Sequence, residues 1–259
     1  MIFGGRVGVA ERRPGGREMI ISHSRRFVIL APWKAATSTL RARLGQHSES
    51  PYGEFYNFNP ILKRVVHQHL TYADFAALPE SRLGYVTAAF VRNPYDRVYS
   101  GFHQLQKDIR QQPSVEFPDP EVRALVMRQL CENFSQLQRA EFAFEPWLEL
   151  VEDWQILKAG RNSSFPLHPS HYWTHHGGKR AVDFIGRVES FEADFDSLCS
   201  VLGVEAGSRI SVNMDATGDD LAGNSLGYRY ADRMSPRARQ RVNELFHEDF
   251  ELLGYERVK

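Results

Sequence analysis

One stretch of this chain, Phe27–Leu30, is apolar at every position, as expected of a strand covered on both faces. Leu40 and Leu44 follow at the i, i+4 spacing of a helix, so residues 27–44 predict strand, turn and helix. Residues 84–91 form a second strong run, rich in β-branched and aromatic side chains, and residues 63–67 a shorter one. Asn93, Pro94 and Asp96 then supply an N-cap, a first helical position and an acidic first turn, which places Ser100 about two turns into a helix. Thr71-x-x-Asp74 reads as the capping box of a brief helix reaching Ala77. Helical spacing marks residues 121–137 and 146–157, and a strand is expected over 183–188. Ser190 opens a helix with Phe191, Phe195, Leu198 and Leu202 on one face, stopped by Gly203. Ser235-Pro236 starts the last helix, with Val242, Leu245 and Phe246 inward. Residues 45–60, 111–120, 160–166 and 204–230 lack a period and read as loops, the first of them suited to line a cleft. With no internal repeat and no linker between patterned halves, the pattern predicts one α/β domain, its helices around a mainly parallel sheet.

The turn after the first strand carries the first candidate chemistry. A helix starting near Thr37 has unpaired backbone N–H groups in its first turn, and these favour an anion. Lys34, Ala35, Ala36, Thr37, Ser38 and Thr39 would surround a phosphate or sulfate with backbone donors, three hydroxyls and one ammonium. The Walker A pattern needs Gly-Lys-Ser/Thr, whereas here the lysine precedes the Ser-Thr pair by four residues and no glycine is present. On this loop alone, a capped helix with a solvated lysine accounts for the same residues. Arg92 stands at the carboxyl end of the second strand, the end at which open α/β sheets bind ligands.

Charge narrows the partners. Lys plus Arg and Asp plus Glu both total 32, so no global field attracts nucleic acid or a membrane, and any basic site is local. No run is long enough for a membrane span. The two cysteines, Cys131 and Cys199, are expected to be buried thiols of a reducing compartment, which points to the cytoplasm. Residues 1–18 are rich in Gly and Arg without periodicity and read as a disordered leader, with the natural start expected at Met19 and a single domain over 19–259.

Histidines form two groups. His67 and His69 close the short strand and point the same way if the backbone there is extended, although a solvated pair is the plainer reading. His168, His171, His175 and His176 lie in one segment. Imidazoles at i, i+3 and i+7 can converge on a metal, but Pro169 and Gly177-Gly178 favour a loop touching an anionic or sugar acceptor, with His171 the candidate contact and no metal expected. Tyr52, Tyr56, Tyr172, Trp173 and Arg229 suit a glycan, and ordinary loop packing equally.

Two loop signatures stand together: Pro-x-Lys-x-x-x-Ser-Thr from Pro32 to Thr39, and Phe-Val-Arg-x-Pro-x-x-Arg-x-x-Ser from Phe90 to Ser100. In that order they resemble the carbohydrate, Golgi-type sulfotransferases that use 3'-phosphoadenosine 5'-phosphosulfate (PAPS). The segments Val182-Asp-Phe-Ile-Gly-Arg187-Val-Glu-Ser-Phe-Glu and Phe250-Glu-Leu-Leu-Gly-Tyr255 are similar to that family's late strand and helix and its closing stretch. The resemblance implies a P-loop NTPase-like sulfotransferase fold. It also implies that Lys34, Ser38 and Thr39 hold the 5'-phosphosulfate within the 34–39 loop, and that Arg92 and Ser100 hold the 3'-phosphate. His67-Gln-His69-Leu-Thr-Tyr resembles the His-x-His element of the uronosyl 2-O-sulfotransferases, which makes His69 the base and places His67 at the acceptor. Lys34 is expected to neutralise the leaving oxygen, without a metal. Two departures stand out: Trp33 intervenes between Pro32 and Lys34, and Thr37 stands where smaller residues are commoner. The rival readings are an ATP-dependent phosphotransferase needing magnesium, and an inactive nucleotide- or glycan-binding homologue whose loop Trp33 blocks.

Overall fold

A computed structural model describes residues 19–52, 56–67, 69–111, 119–151, 167–207 and 225–258. In chain order the strands are β1 Ile20–Ser22, β2 Phe27–Leu30, β3 Tyr56–Asn59, β4 Arg64–His67, β5 Val86–Val91, β6 His175–His176, β7 Lys179–Arg180 and β8 Phe184–Arg187. The helices are α1 Thr37–Leu44, α2 Tyr72–Ala76, α3 Pro94–Gln111, α4 Pro120–Arg139, α5 Phe144–Leu150, α6 His171–Thr174, α7 Phe191–Leu202, α8 Pro236–Leu245 and α9 His247–Leu253.

The central sheet has the order β1-β2-β5-β8. β2 and β5 are parallel with Leu30 opposite Ala89, and β5 and β8 are parallel with Val91 opposite Arg187. Three carboxyl ends therefore meet at one edge of the sheet. β1 runs antiparallel to β2 at the far side, and β3–β4 and β6–β7 are two separate hairpins. The mainly parallel α/β architecture is the one expected.

β2 is buried at all four positions because helices or loops cover both faces. On one face Phe27, Ile29, Ala88 and Phe90 pack with Leu40, Phe195 and Leu198, under α1 and α7. On the other, Val28, Leu30 and Ala89 pack with Val66, Leu70 and Trp173. Arg43 joins the two helices of the first face, donating from both Nη atoms to the Glu192 carboxylate at 2.9 and 2.6 Å.

Several elements differ from the pattern reading. Residues 56–59 pair as a strand inside the expected loop, and β1 adds an edge strand. The expected helix over 146–157 is described as Phe144–Leu150, and 152–166 lies outside the described residues, as do 1–18 and 208–224. Ser190 makes no side-chain cap on α7; its hydroxyl donates to Asp194 instead. Cys199 is buried as expected, but Cys131 is exposed, because α4 turns that position to solvent.

α3 is fixed at its first turn by a buried ion pair. Arg97 Nη2 lies 3.5 Å from Asp249 Oδ2, and both side chains are fully excluded from solvent. Burial pushes the Arg97 guanidinium down from its ordinary value while Asp249 pulls it back. Arg97 Nη1 also donates to the His168 carbonyl, and Asp249 accepts the backbone N–H groups of Ser170 and His171 at 2.7 and 2.8 Å. Removing one partner strands the other charge. Asp249→Ala is therefore expected to cost about 3–5 kcal/mol in urea unfolding. A loss below about 1 kcal/mol, the scale of an exposed pair, would show that the pair does not hold α3.

Candidate functional site

The loop from β2 to α1 is strained where glycine would relax it. Lys34 and Ala36 have φ of 63° and 60°, in the left-handed region that side chains with a Cβ disfavour by ~1–3 kcal/mol each. Ala36 is the N-cap of α1 and has no side-chain oxygen to offer the first turn, and the first helical bond runs from the Leu40 N–H to its carbonyl. The first turn of α1, with the N–H groups of Thr37, Ser38 and Thr39, thus has no side-chain cap from Ala36.

Lys34 Nζ donates to Gln104 Oε1 of α3 at 3.1 Å, and Gln104 Nε2 donates to Asp108 Oδ1 at 2.8 Å. Burial pushes the Asp108 carboxyl up, against the opposing pull of Gln104 and Lys34. Burial, with the nearby Lys34 charge, holds His103 below the usual imidazole range. Trp33 does not block the loop: it is 9 % exposed and packs into the core beneath α3. Its Cζ3 lies 2.7 Å from where a Cβ on Gly101 would stand.

At the tip of β5, Arg92 is buried, 3.8 Å from Asp96 Oδ2. Asn93 fixes this turn from both sides. Its Oδ1 accepts the Asp96 N–H at 2.9 Å, while its own N–H and Nδ2 donate to Glu189 Oε1, each at 2.7 Å. Glu189 comes from the turn after β8, so the β5 and β8 tips are tied together. The Asp96 carboxylate also accepts the N–H groups of Arg229 at 3.1 Å and Tyr230 at 2.9 Å, which draws the C-terminal segment over the site. Ser100 is half-buried on α3 two turns further on.

His69 lies beside the first loop, with Nδ1 2.7 Å from the Ala31 carbonyl oxygen. A carbonyl only accepts, so Nδ1 carries the proton and Nε2 is the basic nitrogen of the neutral ring, a tautomer assigned from the partner. Thr71 and Asp74 form the expected capping box just after it, and Arg64 pairs with Asp74. The loop that carries Lys34 and residues 35–39, with His69 bonded at its start, and the turn that carries Arg92 therefore follow the carboxyl ends of adjacent parallel strands, while Ser100 lies further along α3.

For the other two candidate histidines the outcome differs. The side chain of His67 lies outside the described residues, though its backbone pairs with Tyr56. His171 has Nδ1 2.9 Å from Asp249 and Nε2 2.8 Å from Glu248, so its ring ties α6 to α9 and has no nitrogen left for an acceptor. Trp173 belongs to the core. Among the described residues no cluster of three or more His, Cys, Asp or Glu is placed to hold a metal, and no helix is long and apolar enough to cross a membrane.

The motif reading missed Gln104, Asp108 and Glu189. The i, i+4 spacing of Ser100, Gln104 and Asp108 was the available signal for the first two, since it puts all three on one face of α3. Because Trp33 fills the space over Gly101, Gly101→Ala is expected to cost ~1–3 kcal/mol by overpacking and to loosen the loop above it. Unfolding midpoints that match wild type would place Trp33 elsewhere.

A family model described as "Sulfotransferase family" matches residues 18–256. No curated protein and no solved structure gives a match. The strained loop after β2, the Arg92 turn and the Glu189 and Asp249 anchors all fall inside the matched span, and the chain belongs to the sulfotransferase family.

Proposed function

We propose that this chain moves a sulfuryl group from PAPS to a hydroxyl of a carbohydrate acceptor. Sulfuryl transfer follows from the family; the donor and the acceptor class rest on the site residues and the motif resemblance. The observation that carries the reading is the bond from His69 Nδ1 to the Ala31 carbonyl, because it sets a basic nitrogen beside the anion loop.

The residues divide the work. Lys34, Ser38, Thr39 and the backbone of residues 35–37 hold the phosphosulfate, and Arg92 with Ser100 holds the 3'-phosphate. PAPS supplies a sulfur already bonded to a good leaving group. His69 Nε2 takes the acceptor's hydroxyl proton as the oxygen attacks sulfur. Lys34 neutralises the charge on the bridging oxygen as the sulfur–oxygen bond to the nucleotide breaks. The step is in-line with loose bonding, so position and charge do most of what the protein contributes. His171 keeps a structural role. The unbridged thiols Cys131 and Cys199 support placement in the cytoplasm.

Thermal shift with PAP (the desulfated product), ATP with magnesium, and GTP tests the donor. At a hundredfold excess over Kd, PAP is expected to stabilise by about 2.7 kcal/mol, with the others near zero. A shift with ATP and magnesium alone would favour the phosphotransferase. His69→Asn is expected to keep the PAP shift and lose about 10²–10⁴ in turnover, measured with PAPS and desulfated heparin. Arg92→Ala is expected to reduce the PAP shift itself. Wild-type turnover in the His69 variant removes that residue from the mechanism.

A further inference from the structure

The site contains a carboxylate and an amide that the transfer step does not use. We propose that Gln104 and Asp108 form a relay that sets the position of the Lys34 ammonium, Asp108 acting by fixing which end of the Gln104 amide faces the loop. The inference rests on the sulfotransferase reading for its effect on rate, though not for the relay itself.

The two ends of a glutamine amide are nearly equal in shape and opposite in chemistry. Lys34 Nζ only donates, and it meets Gln104 Oε1 at 3.1 Å. The Asp108 carboxylate only accepts, and it meets Gln104 Nε2 at 2.8 Å. A flipped amide would set NH2 against NH3+ and oxygen against oxygen, so both partners enforce one orientation. Gln104 and Asp108 share one face of α3, a helix whose first turn is pinned by Arg97 and Asp249. Lys34 is on a four-carbon stem that samples many rotamers unless held, and its backbone already sits at φ 63°. Lys34 provides the contact with the leaving oxygen; Gln104 and Asp108 are positioning residues that act through it.

The relay makes two separable predictions. Acylation of the intact protein with limiting acetic anhydride, read by peptide mass spectrometry against exposed Lys179 as internal reference, reports how tightly Lys34 is held. Gln104→Leu is expected to raise the relative rate at Lys34 at least threefold. Gln104→Glu with Asp108→Asn reverses the donor and acceptor between the two positions yet leaves an oxygen for Lys34, so the rate is expected to fall back to the wild-type value or below it, because a carboxylate against the ammonium also lowers the share of free amine. An unchanged rate in Gln104→Leu, with the unfolding midpoint preserved, overturns the relay. In turnover of PAPS with desulfated heparin, Gln104→Leu is expected to lower kcat about tenfold with the KM for PAPS within twofold, and the double variant to recover most of it. A loss confined to KM overturns the positioning role. If wild type turns over no PAPS, the failure falls on the sulfotransferase reading, and the Lys34 labelling rates decide the relay.

Discussion

A guanidinium and a carboxylate, both sealed from solvent, meet between α3 and α9, and the orientation of α3 depends on that meeting. A buried ion pair is rarely the most stabilising filling for a core, since desolvating two charges offsets much of their attraction. Its use here is directional. Asp249 also takes two backbone N–H groups and the His171 ring, so its position is set by the 168–171 segment as well as by Arg97. Phe246 lies under the guanidinium at 5.1 Å and closes the fourth side. An apolar pair of equal volume would fill the space without choosing a rotation for α3. That rotation matters because the same helix carries Ser100 and Gln104, and its N-cap turn follows Arg92.

The loop after β2 shows the complementary economy. Glycine would relieve the left-handed backbone at positions 34 and 36, and Walker-type loops use it. This chain keeps a lysine and an alanine there at a cost of ~1–3 kcal/mol each. The strain is met from below by Trp33, whose ring is locked over Gly101 in the main core. The intervening tryptophan, which in the linear motif looks like an obstruction, is the anchor that lets the loop hold its shape without glycine.

What was legible in the chain was whatever is decided within a few residues. The all-apolar run of β2, the Asn93-Pro94 start of α3, the Thr71 and Asp74 box and the Gly203 stop each rest on local chemistry, and each stands in the structure. The misses are long-range. β1 and β3 are three and four residues long and form only because a partner strand lies beside them. Ser190 has the right side chain to cap α7, but Asp194 takes its hydroxyl first. Cys131 sits in an apolar-looking helix whose outer face is set by what α4 packs against. His171 has the chemistry of a ligand contact, but the carboxylates that hold its ring, Glu248 and Asp249, are 77 and 78 positions away in sequence. Spacing names residue types; it does not say which carboxylate arrives from the far end of the chain.

The same reasoning gives the His69 contact its weight. The resemblance assigned a base to the segment after β4 and an anion loop to the segment after β2, but nothing in either motif requires the two to touch. They are joined by one hydrogen bond to the Ala31 carbonyl, the residue that follows β2. That bond orients the imidazole and selects its tautomer. It also couples His69 to the loop, so that in the proposed mechanism a displacement of residues 31–36 shifts both sides of the reacting centre together. In an in-line displacement the error that matters is the relative position of attacking and leaving oxygens, where misplacement by an ångström can cost a hundredfold. In the proposed mechanism, with His69 as base and this loop holding the leaving group, such a tie limits that relative error without requiring the whole edge of the sheet to be rigid.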